Sequence, residues 1–187
     1  MKTIALPKPQ QLAAALTDVL AKRRTCRSFT AEGITDQQLA NILWCTAGIS
    51  SADGKRTAPS CLNLQAVTVY VLRSDGVWRY DAKAGRLEQI SADDVRAAST
   101  LQQHAFVDRS PATLVFVMEN TPRTAMARPD WCYLDAGAMV QNAYLACEAQ
   151  GLAGVARGSA DWEALGKAMG LPATMAPIFC FTLGHRA

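Results

Sequence analysis

The sequence predicts a single α+β domain. Segments of strand period and helix period are interleaved without strict βα alternation. A chain of 187 residues suits one hydrophobic core. Half of the residues are hydrophobic and 19% are charged, the balance of a soluble globular protein and not of a disordered one.

The elements follow in order. Beyond Pro7 and Pro9, Leu12, Leu16, Val19, Leu20 and Arg23 share one helical face that runs into the basic cluster Lys22-Arg23-Arg24-Thr25-Cys26-Arg27. A second helix starts at Thr35, where Thr35 and Gln38 have capping-box spacing and Ile34 with Leu39 can form a hydrophobic staple; Gly48 ends it. Residues 50–66 read as a loop. A meander follows: Val67 to Leu72, a turn at Ser74-Asp75-Gly76, Val77 to Tyr80, a turn at Ala84-Gly85, and Leu87 to Ile90. Ser91 and Asp94 are expected to cap a helix reaching about His104. The apolar run Thr113 to Met118 fits a buried central strand. After an exposed loop over 119–130, a long helix is expected from about Trp131 to Gln150, closed by Gly151 in the left-handed conformation. Leu152 to Arg157 is a short strand. Ser159 is expected to cap a further helix ending at Gly170-Leu171-Pro172, and Ile178 to Leu183 is a final buried strand.

Composition excludes several functions. A net charge of +3 is too mild for a nucleic-acid partner, and 7% aromatic residues offer few stacking platforms. Prolines and lysines break up MKTIALPKPQ, so no secretory h-region is expected, and no stretch approaches the roughly 20 apolar residues of a membrane span. The six cysteines form no CxxC and only His104 and His185 could assist them, so no metal site is expected. The expectation is a cytoplasmic protein with free thiols, Cys147 and Cys180 being small core hydrophobes.

Three constellations could carry chemistry. Arg23, Arg24 and Arg27 with Thr25 could hold a phosphate, because guanidinium groups match its oxygens bidentately; as spacing alone, such a cluster is more often a solvated face. Ala58-Pro59-Ser60-Cys61-Leu62-Asn63-Leu64-Gln65 puts hydroxyl, amide and aliphatic groups on a loop beside a strand, which by itself is only a turn. Gly151 to Ser159 leads from a strand toward a helix start, where backbone N–H groups are free to donate; it lacks GxGxxG spacing.

Taken together, RRTCRSF, PSCLNLQ and GLAGVARGSAD resemble the nitroreductase family in order and approximate spacing, over nearly the whole chain. The DGVWRYDAKAGRL hairpin looks like the short family branch that includes the peptide-azoline oxidases. The resemblance implies a central, mostly antiparallel sheet flanked by helices, an intertwined homodimer, and FMN at the subunit interface. It implies that Arg23, Arg24, Thr25 and Arg27 hold the flavin phosphate and ribityl chain. It implies that Pro59, Ser60, Cys61, Leu62, Asn63 and Gln65 reach the isoalloxazine ring from the partner, and that Arg157, Gly158 and Ser159 donate backbone N–H groups near flavin N5 and O4. The family's C-terminal basic pair is reduced here to Arg186. Gln102, Gln103 and His104 lie near the place of the family's pyrimidine-edge amide; Gln103 is the candidate carried forward, with the choice among the three open.

No residue stands out as an essential acid or base, as expected where a cofactor carries the chemistry at flavin N5. The implied activity is reduction of FMN by NADH or NADPH, followed by reduction of a small organic acceptor such as a nitroaromatic or quinone. The alternatives are an oxidase or dehydrogenase of a specialised substrate such as a peptide azoline, a flavin-binding protein without turnover, and a thiol protein using Cys26 or Cys61 beside positive charge.

Overall fold

The computed structural model describes residues 2–101, 105–121, 124 and 128–187. Among these, seven strands form one sheet: β1 (Thr3–Ala5), β2 (Val67–Arg73), β3 (Gly76–Asp81), β4 (Arg86–Ser91), β5 (Ala112–Glu119), β6 (Ala153–Arg157) and β7 (Met175–Gly184). Their order is β1-β4-β3-β2-β5-β7-β6, and every neighbouring pair is antiparallel. The described helices are α1 (Leu16–Lys22), α2 (Asp36–Ala47), α3 (Ala105–Arg109), α4 (Pro129–Glu148) and α5 (Trp162–Ala168). The class is α+β, as the sequence predicts.

The centre of the sheet is the apolar run of β5, paired with β2 on one side and β7 on the other. Leu114, Val115, Phe116 and Val117 are all fully buried because both sheet faces are covered. Val71, Leu114, Phe116 and Phe181 pack in the cluster that holds Leu39 and Leu43 of α2 and Met139 and Ala143 of α4. Leu72, Val115, Val117 and Cys180 pack on the other face with Leu165 and Met169 near α5. Burial pushes the thiols of Cys147 and Cys180 far up, consistent with their role as core hydrophobes.

Local signals explain most boundaries. The Thr35 side chain accepts from the Gln38 N–H at 3.1 Å and Gln38 answers the Thr35 N–H at 2.9 Å, a complete capping box for α2. Pro129 opens α4, two residues earlier than the sequence suggests, and Gly151 follows its end at φ +72°.

Three expectations are corrected, and one element is added. The first helix begins at Leu16, and its face is not a core face: Leu16 is 63% and Leu20 47% exposed, leaving Val19 as its buried residue. The helix expected after Ser91 is absent through Leu101: Ser91 and Asp94 make short local turns to the N–H groups of Asp93 and Arg96, followed by one 3-10 turn at Arg96–Ser99. Its expected end at His104 lies outside the described residues. The cap of α5 is Asp161, whose carboxylate accepts from the Ala164 N–H at 2.9 Å; Ser159 stays exposed and outside the helix. Finally, β1 was not anticipated: three residues pair with β4 and end before Pro7, too short a run to show a period.

Two predictions follow from this packing. Gly154 faces the Phe181 ring so closely that an added Cβ would lie 2.2 Å from Cζ. Gly154→Ala should therefore lower stability by about 1–3 kcal/mol through overpacking, seen as a fall in Tm; an unchanged Tm would contradict this contact. In the meander, Arg79 Nε at 3.1 Å and Arg86 Nη2 at 2.7 Å both donate to Glu88 and hold its carboxyl below the usual range. A lowered folded-state pKa gives stability that is present above the ordinary glutamate value and lost as pH falls through the lowered one. Glu88→Gln should flatten the acid limb of a Tm-against-pH profile, whereas superimposable limbs would contradict that role.

Candidate functional site

The arginine motif is positioned by β6. Thr25 forms a parallel bridge with Gly154, and the Cys26 N–H donates to the Gly154 carbonyl at 3.0 Å. Bare backbone at Gly154 also makes room for the Phe181 ring. Tyr144 of α4 stacks edge-on against Phe181 at 4.7 Å between ring centroids. Its hydroxyl accepts from the Ala156 N–H at 2.8 Å and shares a hydrogen bond with Thr25 Oγ1 at 3.1 Å. The Arg23 guanidinium lies 5.0 Å from the Tyr144 ring centroid, a cation–π contact. One tyrosine thus joins helix, edge strand and arginine motif. This tyrosine is not among the residues the sequence points to, because its partners Thr25, Ala156 and Phe181 lie far from it along the chain.

The charges of this motif are free to act. Among the described residues none of Arg23, Arg24 or Arg27 has a carboxylate within salt-bridge reach. Arg24 donates only to the carbonyls of Ala21 and Arg23. Further along β6, Gly158 and Ser159 are exposed and their N–H groups make no backbone hydrogen bond among the described residues. Arg157 differs: its buried guanidinium donates to the Ser99 carbonyl, to Ser99 Oγ at 2.9 Å and to Thr182 Oγ1 at 2.9 Å. Desolvation lowers its pKa, and its side chain is committed to the core. Arg186 joins the same end of the sheet through a bridge to Phe29, but it is paired with Glu148 at 2.7 Å. Gln103 lies outside the described residues, as do Gln102 and His104.

The Pro59–Gln65 loop is held elsewhere. The Cys61 N–H donates to Asp135 of α4 at 2.9 Å, and the Gln65 N–H to Ser60 Oγ at 2.8 Å. Gln65 Nε2 donates to the Gly54 carbonyl and to Asn63 Oδ1, each at 3.0 Å, so its side chain braces the loop from within. Leu62, Asn63 and Gln65 all have positive φ, at 50°, 53° and 52°. Left-handed conformations cost a non-glycine residue about 1–2 kcal/mol each, and such strain persists where a particular backbone shape is required. Burial and the neighbouring Asp135 push the Cys61 thiol up, away from a reactive thiolate.

The structure therefore brings the Arg23–Arg27 motif and the Arg157–Ser159 segment to one sheet edge, and keeps the Pro59–Gln65 loop apart. No hydrogen bond or ion pair joins loop and motif among the described residues. Their anchors on α4, Asp135 and Tyr144, are nine residues apart. That is about 14 Å along the axis and about half a turn around it.

A family model described as the nitroreductase family matches residues 20–185. The chain belongs to the nitroreductase family. As a nitroreductase-family member it is an oxidoreductase with the α+β fold described above. A protein of Ralstonia eutropha JMP134, provisionally named a nitroreductase, has a solved structure that superposes with a TM-score of 0.91 at 34% identity, covering 100% of this chain and 90% of that one. A protein of Methanocaldococcus jannaschii, provisionally named likewise, is 28% identical over 169 residues, 83% of either chain. The NADPH:FMN oxidoreductase of Vibrio harveyi, solved with NAD+, superposes with a TM-score of 0.66 at 25% identity over 91% of this chain and 68% of that one.

Tyr144→Phe tests the joint. It keeps the ring against Phe181 but leaves the Ala156 N–H and Thr25 without their shared partner. Denaturant unfolding should show a loss of about 1–3 kcal/mol. Parental stability would mean that the hydroxyl does not hold the motif.

Proposed function

We propose that the chain is an FMN-dependent NAD(P)H oxidoreductase, a homodimer that builds each flavin site from both subunits. The observation that carries this reading is the donor set at the β6 edge. Three guanidinium groups without carboxylate partners lie at one end of it, and the Gly158 and Ser159 N–H groups, with no backbone acceptor among the described residues, lie at the other. Thr25 bridges Gly154, and Gly158 lies four residues on, about 13 Å along an extended strand. A phosphate at one end and a ring with hydrogen-bond acceptors at the other fit that span and that chemistry.

Under this reading Arg23, Arg24, Thr25 and Arg27 hold the phosphate by charge-assisted hydrogen bonds. Backbone donors at Gly158 and Ser159 face the ring and favour negative charge on it. FMN, when bound, supplies the redox chemistry, accepting hydride from reduced nicotinamide and passing electrons to a small organic acceptor such as a nitroaromatic or quinone. Donor and acceptor would use the same site in turn.

The dimer is supported by what a single chain leaves uncovered. Leu62 on the strained loop and Tyr133 and Leu134 at the start of α4 are 69%, 50% and 65% exposed, close to the Cys61–Asp135 contact. Contiguous apolar residues of this size mark an interface. A partner seated there would use the Pro59–Gln65 loop to close a neighbouring flavin site, with Pro59, Leu62 and Asn63 exposed and Ser60 and Gln65 bracing the loop from within.

Arg23→Ala and Arg27→Ala should each weaken FMN binding by about tenfold to a hundredfold while the fold survives. Titration of apo-protein followed by flavin fluorescence measures this. If both variants bind FMN as tightly as the parent, the cluster is a solvated face and the reading fails. Flavin released on denaturation should chromatograph as FMN; FAD alone would overturn the cofactor assignment.

A further inference from the structure

A cavity of about 910 Å³ lies behind the Pro59–Gln65 loop. Its walls include Leu6, Pro7, Trp44 and Ile49, and none of the Arg23–Arg27 or Gly158–Ser159 residues line it. Two donors line it, and both also line a smaller adjoining space together with Asp81 and Glu119. The first is Arg56. Its Nε donates to Gln65 Oε1 at 3.0 Å and its Nη1 to the Ala47 carbonyl at 2.8 Å, which leaves the Nη2 end without a partner among the described residues. No carboxylate comes within salt-bridge reach of it. The neighbouring Asp81 accepts from the Lys83 and Ala84 N–H groups and faces Arg86 at 3.6 Å, while Glu119 accepts from Thr68.

The second donor is Tyr80. Its ring is buried, with 8% of the residue exposed, and its hydroxyl has no hydrogen bond among the described residues. No enclosed polar atom lacks a partner, so this hydroxyl must reach open space, and the spaces lined by Tyr80 are this cavity and the smaller one beside Arg56. Burial pushes Tyr80 up to about 12, so it is a protonated donor throughout the physiological range. Lys83 lines the cavity as well, and its sole acidic lining residue, Asp53, is turned toward Lys55 at 3.0 Å and Ser51. Asp81 and Glu119 lie near enough to act on the Arg56 charge but form no ion pair with it, so the partly buried guanidinium and the phenol can still receive an anion, and the apolar walls suit a hydrocarbon body.

We propose that this cavity binds a small carboxylate-bearing molecule with an aromatic body, its carboxylate held by Arg56 and Tyr80 and its body lying against Trp44. The proposal does not depend on flavin, because every residue it uses is outside the flavin donor set. It does give the loop a ligand-sensitive back face, since Arg56 braces Gln65.

Isothermal titration of the purified protein with 1-naphthoate and with its neutral isostere 1-naphthamide tests it. The carboxylate should bind at least about tenfold more tightly than the amide, the advantage of one charge-assisted bond. Tyr80→Phe keeps the ring and should weaken naphthoate binding several-fold with Tm unchanged, and Arg56→Gln should abolish the preference for the anion. Because Arg56 also holds the loop, Tyr80→Phe carries the decision. Equal affinity for the two probes, no binding of either, or parental naphthoate affinity in Tyr80→Phe would overturn the proposal, whatever flavin titrations give.

Discussion

The arrangement of this site depends on the Tyr144 hydroxyl. It sits where α4 crosses the β6 edge of the sheet, takes the Ala156 N–H and meets Thr25. An edge strand presents unpaired backbone groups, and these must be satisfied or left for a ligand. Tyr144 satisfies one of them at Ala156 and pins the arginine motif alongside, while Gly158 and Ser159 keep theirs. The ring can occupy that position because Phe181 beneath it tucks against Gly154, where no side chain intervenes. Fold, motif and free donors thus trace back to one packing arrangement.

The same helix divides the chemistry. Asp135 near its start holds the strained loop by the Cys61 N–H, and Tyr144 near its end holds the arginines, on roughly opposite sides of the cylinder. The helix holds the two anchors about 14 Å apart along its axis. Three left-handed residues in the loop are a standing cost, offset by a hydrogen bond donated by Arg56 and by those that Ser60 and Asp135 accept from the loop N–H groups. The loop backbone is held in a costly shape with Leu62 exposed, which suits the loop exchange of the proposed dimer. Two copies related by a two-fold axis would exchange loops reciprocally.

How much of this was legible in the sequence depended on how local the cause was. The capping box at Thr35, the glycine after α4 and the buried β5 run are written in neighbouring residues, and they form as read. The periodicity of Leu12, Leu16, Val19 and Leu20 marks one helical face, but apolar spacing does not say which surface covers it: Leu12 and Val19 meet the core, while Leu16 and Leu20 stay exposed. Ser159 and Asp161 are both competent caps, and the register of the β6 turn decided for Asp161. Among candidate site residues, Arg23, Thr25, Gly158 and Ser159 emerge together at one edge. Arg157 carries the same sequence signal yet turns into the core toward Ser99, because strand alternation aims it at the face opposite Ala156. Tyr144 left no local trace, since its role is defined by contacts with residues far along the chain in both directions.

The central claim is that loop and arginine cluster act on one flavin from different subunits. Subunit mixing tests it most directly. An Arg27→Ala chain and a Ser60→Ala/Asn63→Ala chain, each deficient in FMN binding alone, are unfolded, mixed in equal amounts and refolded. Sites shared across the interface predict that mixed dimers contain one intact site each, so that about one quarter of all sites regain parental FMN affinity. If the mixture binds no better than either variant alone, both elements serve the same subunit's flavin and the account is wrong.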